Sequence, residues 1–478
     1  MRIALLVVNP YRDLPGLVST GLFLCQRGCT CYLVPLSLRE REIWTLAPDF
    51  VLLHNLRVVI EEFARRAVSA GIQVGVLDTE GAVFSSLDWY ASQLTQDPAL
   101  RGDVACFCAW GPRQAQYLTD HGWLESRQLA VTGAPRLDFY VGSWRDAMLR
   151  ASSYADSVPR PLVLINGNFG DVNSWIPKRR PGPKPNPYGH PQEEVERWME
   201  LKRQGFAGMI ALTNRLAGLL PEITFVYRPH PFENPDSYTG RLDRRDNLHL
   251  IKRGSVEGWI LRSSVVLHRG CATAIEAALA GVPALSPAWV PTPSQFDLIE
   301  AVSLTCGSEE ELVSAIRKAA GNGSAIPESV PRDLQDLLAG WFYAADGRAA
   351  RRVAEAIWVA AGGAPSRVSR DSCRRILDGL VGPGSCWKRR PRSLARRALG
   401  LPPFWSFRHW RGTADTDYDA SPRYFGVNEV QTLVRALEPA ARSLEAAGWL
   451  PVKARPALPD SDYHFGYSRG CSITLSTS

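Results

Sequence analysis

No stretch of this sequence approaches the ~20 consecutive apolar residues that span a bilayer, and the short run MRIALLVV is stopped by Pro10 with no small-residue cleavage site after it. That run reads as a first β-strand, and the chain as cytoplasmic. Also missing are a G-x-x-x-x-G-K-[ST] phosphate loop and a G-x-G-x-x-G fingerprint. Ten cysteines are scattered along 478 residues without a single C-x-x-C pair, which excludes the usual zinc spacings and a secreted disulfide scaffold. Cys25, Cys29 and Cys31 stand close together, but no histidine or second cysteine pair is near in sequence, so they read as small buried hydrophobes. No DxD-type carboxylate pair stands in a suitable loop, and no bound metal or cofactor is expected.

What is present is a soluble, globular composition, 45% hydrophobic and 22% charged, on a chain too long for one ordinary core. The net charge of +7 is local: between Trp387 and Ala414 there are eight Lys or Arg and no acid, leaving the remainder near neutral. In that segment Arg389, Arg390, Arg396 and Arg397 are interleaved with aromatics including Trp405 and Trp410. Such a mixture suits an anionic membrane surface, with rings at headgroup level and cations on phosphates. Nucleic acid is the weaker alternative, because no RNA- or DNA-binding module surrounds the segment.

Short apolar runs alternate with amphipathic stretches from IALLVV through CYLVPL, DFVLLH, IQVGVLD, VACFCAWG and LAVTGAP, which argues a parallel sheet covered by helices on both faces. The alternation breaks in a loop rich in proline and basic residues up to Pro191, then resumes through ITFVYRPHP, LHLIK, SSVVLHRG and VPALSP. The expected fold is therefore α/β, with two tandem Rossmann-like, doubly wound domains and a ligand in the cleft between them, the GT-B architecture. We place the first domain at 1–155, the second at 156–361, and a basic, aromatic-rich C-terminal extension at 362–478. From Tyr424 onward only a helix-like stretch is legible.

Candidate chemistry sits at strand ends. In LHRGCATAIEAALAG a helix is expected to open near Ala272 and stop at Gly281, presenting free N–H groups and a positive dipole end to a phosphate. Glu276, one turn in, can accept hydrogen bonds from both hydroxyls of a ribose, or can lie on the solvated face of an ordinary helix. His230 stands between Pro229 and Pro231, on backbone stiffened on both sides, where an imidazole can donate a charge-assisted bond to phosphate. The alternative is a proline-rich surface turn. Asn166, Gly167 and Asn168 follow the strand PLVLI and can bring backbone amides to a nucleotide. Asp78 and Glu80 end the strand IQVGVL, with Gly81 allowing close approach of a ligand. Glu80 is the leading acid/base candidate, and Asp78 its support, a nucleophile, or simply a helix cap.

LDTEGAVF, VTGAPRLDFY, YRPHP and HRGCATAIEAALAGVP together make the chain resemble the bacterial surface carbohydrate biosynthesis protein family, relatives of the capsule and O-antigen Kdo transferases. Matches run from about residue 1 to 361. The resemblance implies a His-Pro motif on the phosphate of a CMP-activated sugar (His230), an acid before glycine in the first domain (Glu80), and hydroxyl residues near the nucleotide (Thr273). Ala272 departs from the second hydroxyl common in relatives. Arg228, His268 and Cys271 complete the expected donor site.

The leading expectation is a metal-independent glycosyltransferase moving a sugar, a CMP-linked ulosonic acid such as Kdo first, from a nucleotide donor to a polysaccharide or lipid-linked acceptor at the inner membrane. Two alternatives stand beside it. One is a nucleotide-sugar 2-epimerase or polyol-phosphate transferase on the same architecture, and the other is a non-catalytic glycan- or membrane-binding scaffold.

Overall fold

The structure is a computed structural model that describes residues 1–81, 86–174, 191–293, 297–321, 332–364, 368–380, 425–445, 448–457 and 472–477. The membrane-contact expectation on Arg389, Arg390, Arg396, Arg397, Trp405 and Trp410 lies outside these residues. Among the described residues no helix is long and apolar enough to cross a membrane.

In the first strand, β1 (Arg2–Val7), side chains alternate between two buried clusters: Ile3, Leu5 and Val7 face one, Ala4 and Leu6 the other. A strand covered on both faces needs such an uninterrupted apolar run. Around it form β2 (Thr30–Pro35), β3 (Phe50–Leu53), β4 (Gln73–Val76), β5 (Val104–Ala109) and β6 (Leu129–Val131), all parallel. The second sheet is β7 (Leu162–Asn166), β8 (Thr224–Arg228), β9 (Leu248–Leu250), β10 (Val265–His268), β11 (Ala284–Pro287) and β12 (Leu304–Cys306), again all parallel.

Strand order decides where ligands go. The first sheet runs β2-β1-β3-β4-β5-β6, so the chain reverses its direction of winding between β1 and β3. The second runs β12-β11-β10-β7-β8-β9, the order of a dinucleotide-binding sheet, and reverses between β7 and β10. In each sheet the crevice at the carboxyl ends of those two strands is the natural ligand site. Both lobes are thus Rossmann-like, in the GT-B arrangement.

Two regions differ from the sequence reading. The helix Ala349–Ala360, assigned there to the second domain, packs on the helix Pro10–Gln26 and on β5 of the first lobe. Its first amides, of Ala349 and Ala350, donate to the two carboxylate oxygens of Asp138 at 3.0 and 2.9 Å. The C-terminal extension also supplies structure to the first lobe. The helix Val427–Arg442 packs on Pro10–Gln26, and β13 (Lys453–Pro456) with β14 (Ile473–Ser476) adds an antiparallel pair beside β2. Pro10–Gln26 is consequently buried nearly all round, with Asn9 capping it by accepting the Tyr11 amide at 2.9 Å.

One hydrophobic cluster crosses between the lobes, holding Trp144 and Met148 of the first together with Trp259, Ile260 and Ile275 of the second.

Candidate functional site

Between the lobes opens a cleft of about 570 Å³, within the range of sites that enclose a small ligand. Its second-lobe wall is built at the β7/β10 reversal. Asn166, the last residue of β7, donates from Nδ2 to the Thr273 hydroxyl at 3.0 Å. Asn168 donates from Nδ2 to the Gly270 carbonyl at 2.8 Å. These two bonds tie the loop after β7 to the turn after β10. Gly270 makes that turn with φ +69°, and the helix Thr273–Ala280 then starts at Ala272 without a side-chain cap and ends at Gly281, φ +72°. An uncapped helix start facing a cleft leaves N–H groups for an anion.

Cations gather at the same place. Lys202 Nζ donates to the Asn168 carbonyl at 2.7 Å, while Arg228 donates to the carbonyls of Arg253, at 2.8 Å, and Gly254. Both are more than nine-tenths buried, both line the cleft, and neither forms an ion pair with a carboxylate among the described residues. Burial lowers the pKa of each. Arg228 therefore also props the loop after β9, a use the sequence reading did not foresee.

His230 lines the cleft with its Nδ1 accepting the Phe232 amide at 3.2 Å, which leaves the ring proton on Nε2. Burial, and then the charges of Arg12, Lys252 and Lys202 against the weaker pull of Glu80, hold its pKa down to about 3. The ring is neutral in the free protein, so in the expected charge-assisted bond the charge belongs to the phosphate that accepts it. Glu233 sets its position, because Oε1 accepts the amides of His230 and Phe169 at 3.1 and 2.8 Å and Oε2 accepts the Tyr238 hydroxyl. A Cβ on Gly167 would sit 2.9 Å from that Oε1, so the loop needs glycine there.

His268 does not reach the cleft wall. It is fully buried, its Nδ1 accepts the Cys271 amide at 3.4 Å, and Nε2 meets the Ser303 hydroxyl at 2.9 Å. It shapes the turn from beneath, and the donor-binding expectation is corrected. Cys271 does line the cleft, but burial raises its thiol pKa and it accepts from the Thr273 hydroxyl at 3.2 Å.

Glu276 faces the cleft and is 4% exposed, not on a solvated face. First-lobe groups already hold it: the Tyr140 hydroxyl donates to Oε2 at 2.9 Å, and Arg136 Nε lies 3.5 Å from Oε1.

Across the cleft, Glu80 is gripped by two guanidiniums, Arg12 at 3.3 Å and Arg57 at 3.0 Å. Desolvation alone would raise its pKa, but Arg12 and Arg57 outweigh that and hold it down to about 2. Glu80 is therefore ionised and cannot serve as the resting general acid. Asp78 is 1% exposed. Its Oδ1 accepts Arg57 and the Glu80 amide, at 3.3 and 2.9 Å, and its Oδ2 accepts the Tyr90 hydroxyl at 3.1 Å. With both oxygens engaged beneath Glu80 it is a positioning residue, and the nucleophile reading is corrected.

Sequence reasoning missed Arg12, Arg57, Lys202 and Glu233. Lys202 alone left a local trace, one helical turn after Trp198, whose ring it faces at 5.3 Å. Among the described residues no group of three or more His, Cys, Asp or Glu side chains is placed to hold a metal ion.

No protein-family model and no curated protein sequence matches this chain. Among solved structures it is similar to the UDP-GlcNAc 2-epimerase of Methanocaldococcus jannaschii in complex with UDP-GlcNAc and UDP, at 11% identity and a TM-score of 0.48 over 74% of this chain and 99% of that one. The UDP-GlcNAc 2-epimerase of Neisseria meningitidis bound to UDP-GlcNAc aligns at 14% identity, TM-score 0.45, over 75% and 100%. A wall teichoic acid polymerase aligns at 10%, TM-score 0.37, over 66% and 72%.

Proposed function

We propose that the chain is an enzyme that breaks the sugar–phosphate bond of a nucleoside-diphosphate sugar, acting as a nucleotide-sugar 2-epimerase. The observation that carries this is the pair of buried cations, Lys202 and Arg228, held by carbonyls rather than carboxylates beside an uncapped helix start. A buried charge without a counter-ion is costly, and an anionic ligand offsets that cost. Two such cations, a helix end and the Nε2–H of His230 match a diphosphate better than the single phosphate of the CMP-linked sugar that the resemblance implies. The nucleoside ribose meets Glu276 once Tyr140 and Arg136 release it, and the sugar points toward Glu80.

In this reading Glu80 takes the C2 proton as the C1–O bond to the diphosphate breaks, the second-lobe cations hold the departed diphosphate in the cleft, and a proton returns to the other face of C2 as the diphosphate adds back at C1. Because Arg12 and Arg57 suppress the basicity of Glu80, proton removal requires one guanidinium to shift onto the substrate. Epimerisation asks least of the cleft, since one substrate occupies it. A glycosyl or polyol-phosphate transfer is the second reading, favoured by Trp89 and Trp198, one from each lobe, in the cleft wall, where a second saccharide can stack.

Incubation with UDP-GlcNAc alone, the sugar nucleotide named for the similar epimerases, tests the assignment by nuclear magnetic resonance. The 2-epimer forms without an added acceptor if the first reading holds. Turnover only after a glycan or polyol acceptor is added selects the second, and failure of UDP, CMP and CDP alike to bind in calorimetry refutes both.

A further inference from the structure

Behind the cleft the first lobe contains a second, smaller hollow of about 40 Å³ at the β1/β3 reversal. Leu17, Leu52 and Leu77 line it together with Asp13, His54 and Asp78, and it shares Arg12 and Arg136 with the cleft, so the two spaces adjoin at those residues. His54 reaches it from the end of β3. That ring is 8% exposed, and its Nδ1 is buried with no hydrogen-bond partner among the described residues. The carboxylates nearby are already used: Asp13 is bound by Arg12 at 2.7 Å and by the Asn9 amide at 3.0 Å, and Asp78 as described above.

A water-sized group needs roughly 10–15 Å³ of such space, so the hollow admits about three non-hydrogen atoms. Waters are poorly held there, because each needs two to four polar partners, and the charged groups of the wall, Arg12 with Asp13, Asp78 with Arg57, and Arg136 with Glu276, are already paired. An occupant that is mostly carbon, with one oxygen toward the His54 ring that lines the hollow, satisfies both. We propose that this annex is a specificity subsite that receives a compact substituent of the sugar, an acetyl or hydroxymethyl group, through the gap beside Arg12 and Arg136 and bonds its oxygen to His54. The inference rests on the nucleotide-sugar reading of the cleft and adds which part of the sugar the first lobe selects. Burial keeps His54 neutral, with a pKa down to about 4, so the bond does not depend on pH near neutrality.

Calorimetry on the full chain with UDP, UDP-GlcNAc, UDP-glucose and UDP-xylose tests it in the wild type, in Leu17→Phe, which fills the hollow, and in His54→Leu, which removes the polar atom at similar volume. Thermal melts establish that each variant is folded. The expected result is an unchanged affinity for UDP and a loss of about tenfold in the affinity of the sugar nucleotide relative to UDP, the scale of one misfitting small group. A loss confined to UDP-GlcNAc assigns the annex to the acetyl group. A loss shared by UDP-glucose but not by UDP-xylose assigns it to the hydroxymethyl. Undiminished preference in both folded variants, with UDP still bound, overturns the annex alone, whereas failure of the wild type to bind UDP, CMP or CDP overturns the cleft reading and the annex with it.

Discussion

Glu80 shows how far single residues can be read from a sequence. Its place two positions after a strand-terminal aspartate and before glycine was visible, but the guanidiniums that set its charge arrive from Arg12 and Arg57, which lie far from it along the chain. No local period records such a meeting. Replacing Glu80 with Gln is expected to lower turnover by roughly 10²–10⁴-fold with little change in UDP affinity, the loss typical of a general base, measured by steady-state kinetics and calorimetry. Arg57→Gln tests the clamp. With one of its two cations gone the Glu80 pKa rises from about 2 toward the ordinary carboxylate value, so the acid limb of kcat/KM moves to higher pH. An unmoved limb contradicts the base assignment. His268 was misread for a related reason, since H-x-x-C after a strand has the same spelling whether the ring enters the cleft or tucks under the turn.

At the scale of elements, the loops after β7 and β8 act as one piece because Glu233 binds an amide from each. Its oxygens are buried, so Glu233→Ala leaves two amides and the Tyr238 hydroxyl without their partner and costs about 1–3 kcal/mol for a single unsatisfied group, seen as a lowered denaturation midpoint in urea. The loop after β9 is as tightly set: Gly254 has φ +76°, and a Cβ there would lie 2.3 Å from the Tyr154 ring. Gly254→Ala is expected to weaken both stability and UDP binding, because Arg228 donates to the carbonyl of that same glycine. The strands and the helix Thr273–Ala280 were legible because each is a short apolar run closed by glycine or proline. β13 and β14 were not, being brief and polar in part, with β13 paired to β14 and β14 docked on β2, more than 400 residues away.

For the molecule as a whole, acid is the telling perturbation. Burial depresses the pKa of His54, His230 and His268 to about 4, 3 and 3. A histidine whose folded pKa lies below its unfolded value, near 6.5, stabilises the fold fully above that value, and the contribution is lost as pH falls through the folded pKa. Stability should therefore begin to decline below about pH 6.5, earlier than carboxylates alone dictate, and His268→Asn should flatten the decline in melts followed from pH 7 to pH 4. Deleting residues 472–478 removes Ile473 and Leu475 from the core, and loss of solubility or a lowered Tm is the expected outcome.

β14 has a further consequence in time. A ribosome releases the amino-terminal strands long before it makes Ile473, on the order of half a minute later at ~5–20 residues per second. During that interval β2 waits as an open border of a nascent sheet. The lobe that begins the chain thus matures only once Ile473 has been made, after the second lobe is already complete, and a chaperone that shields its border in the meantime would raise the yield of native protein.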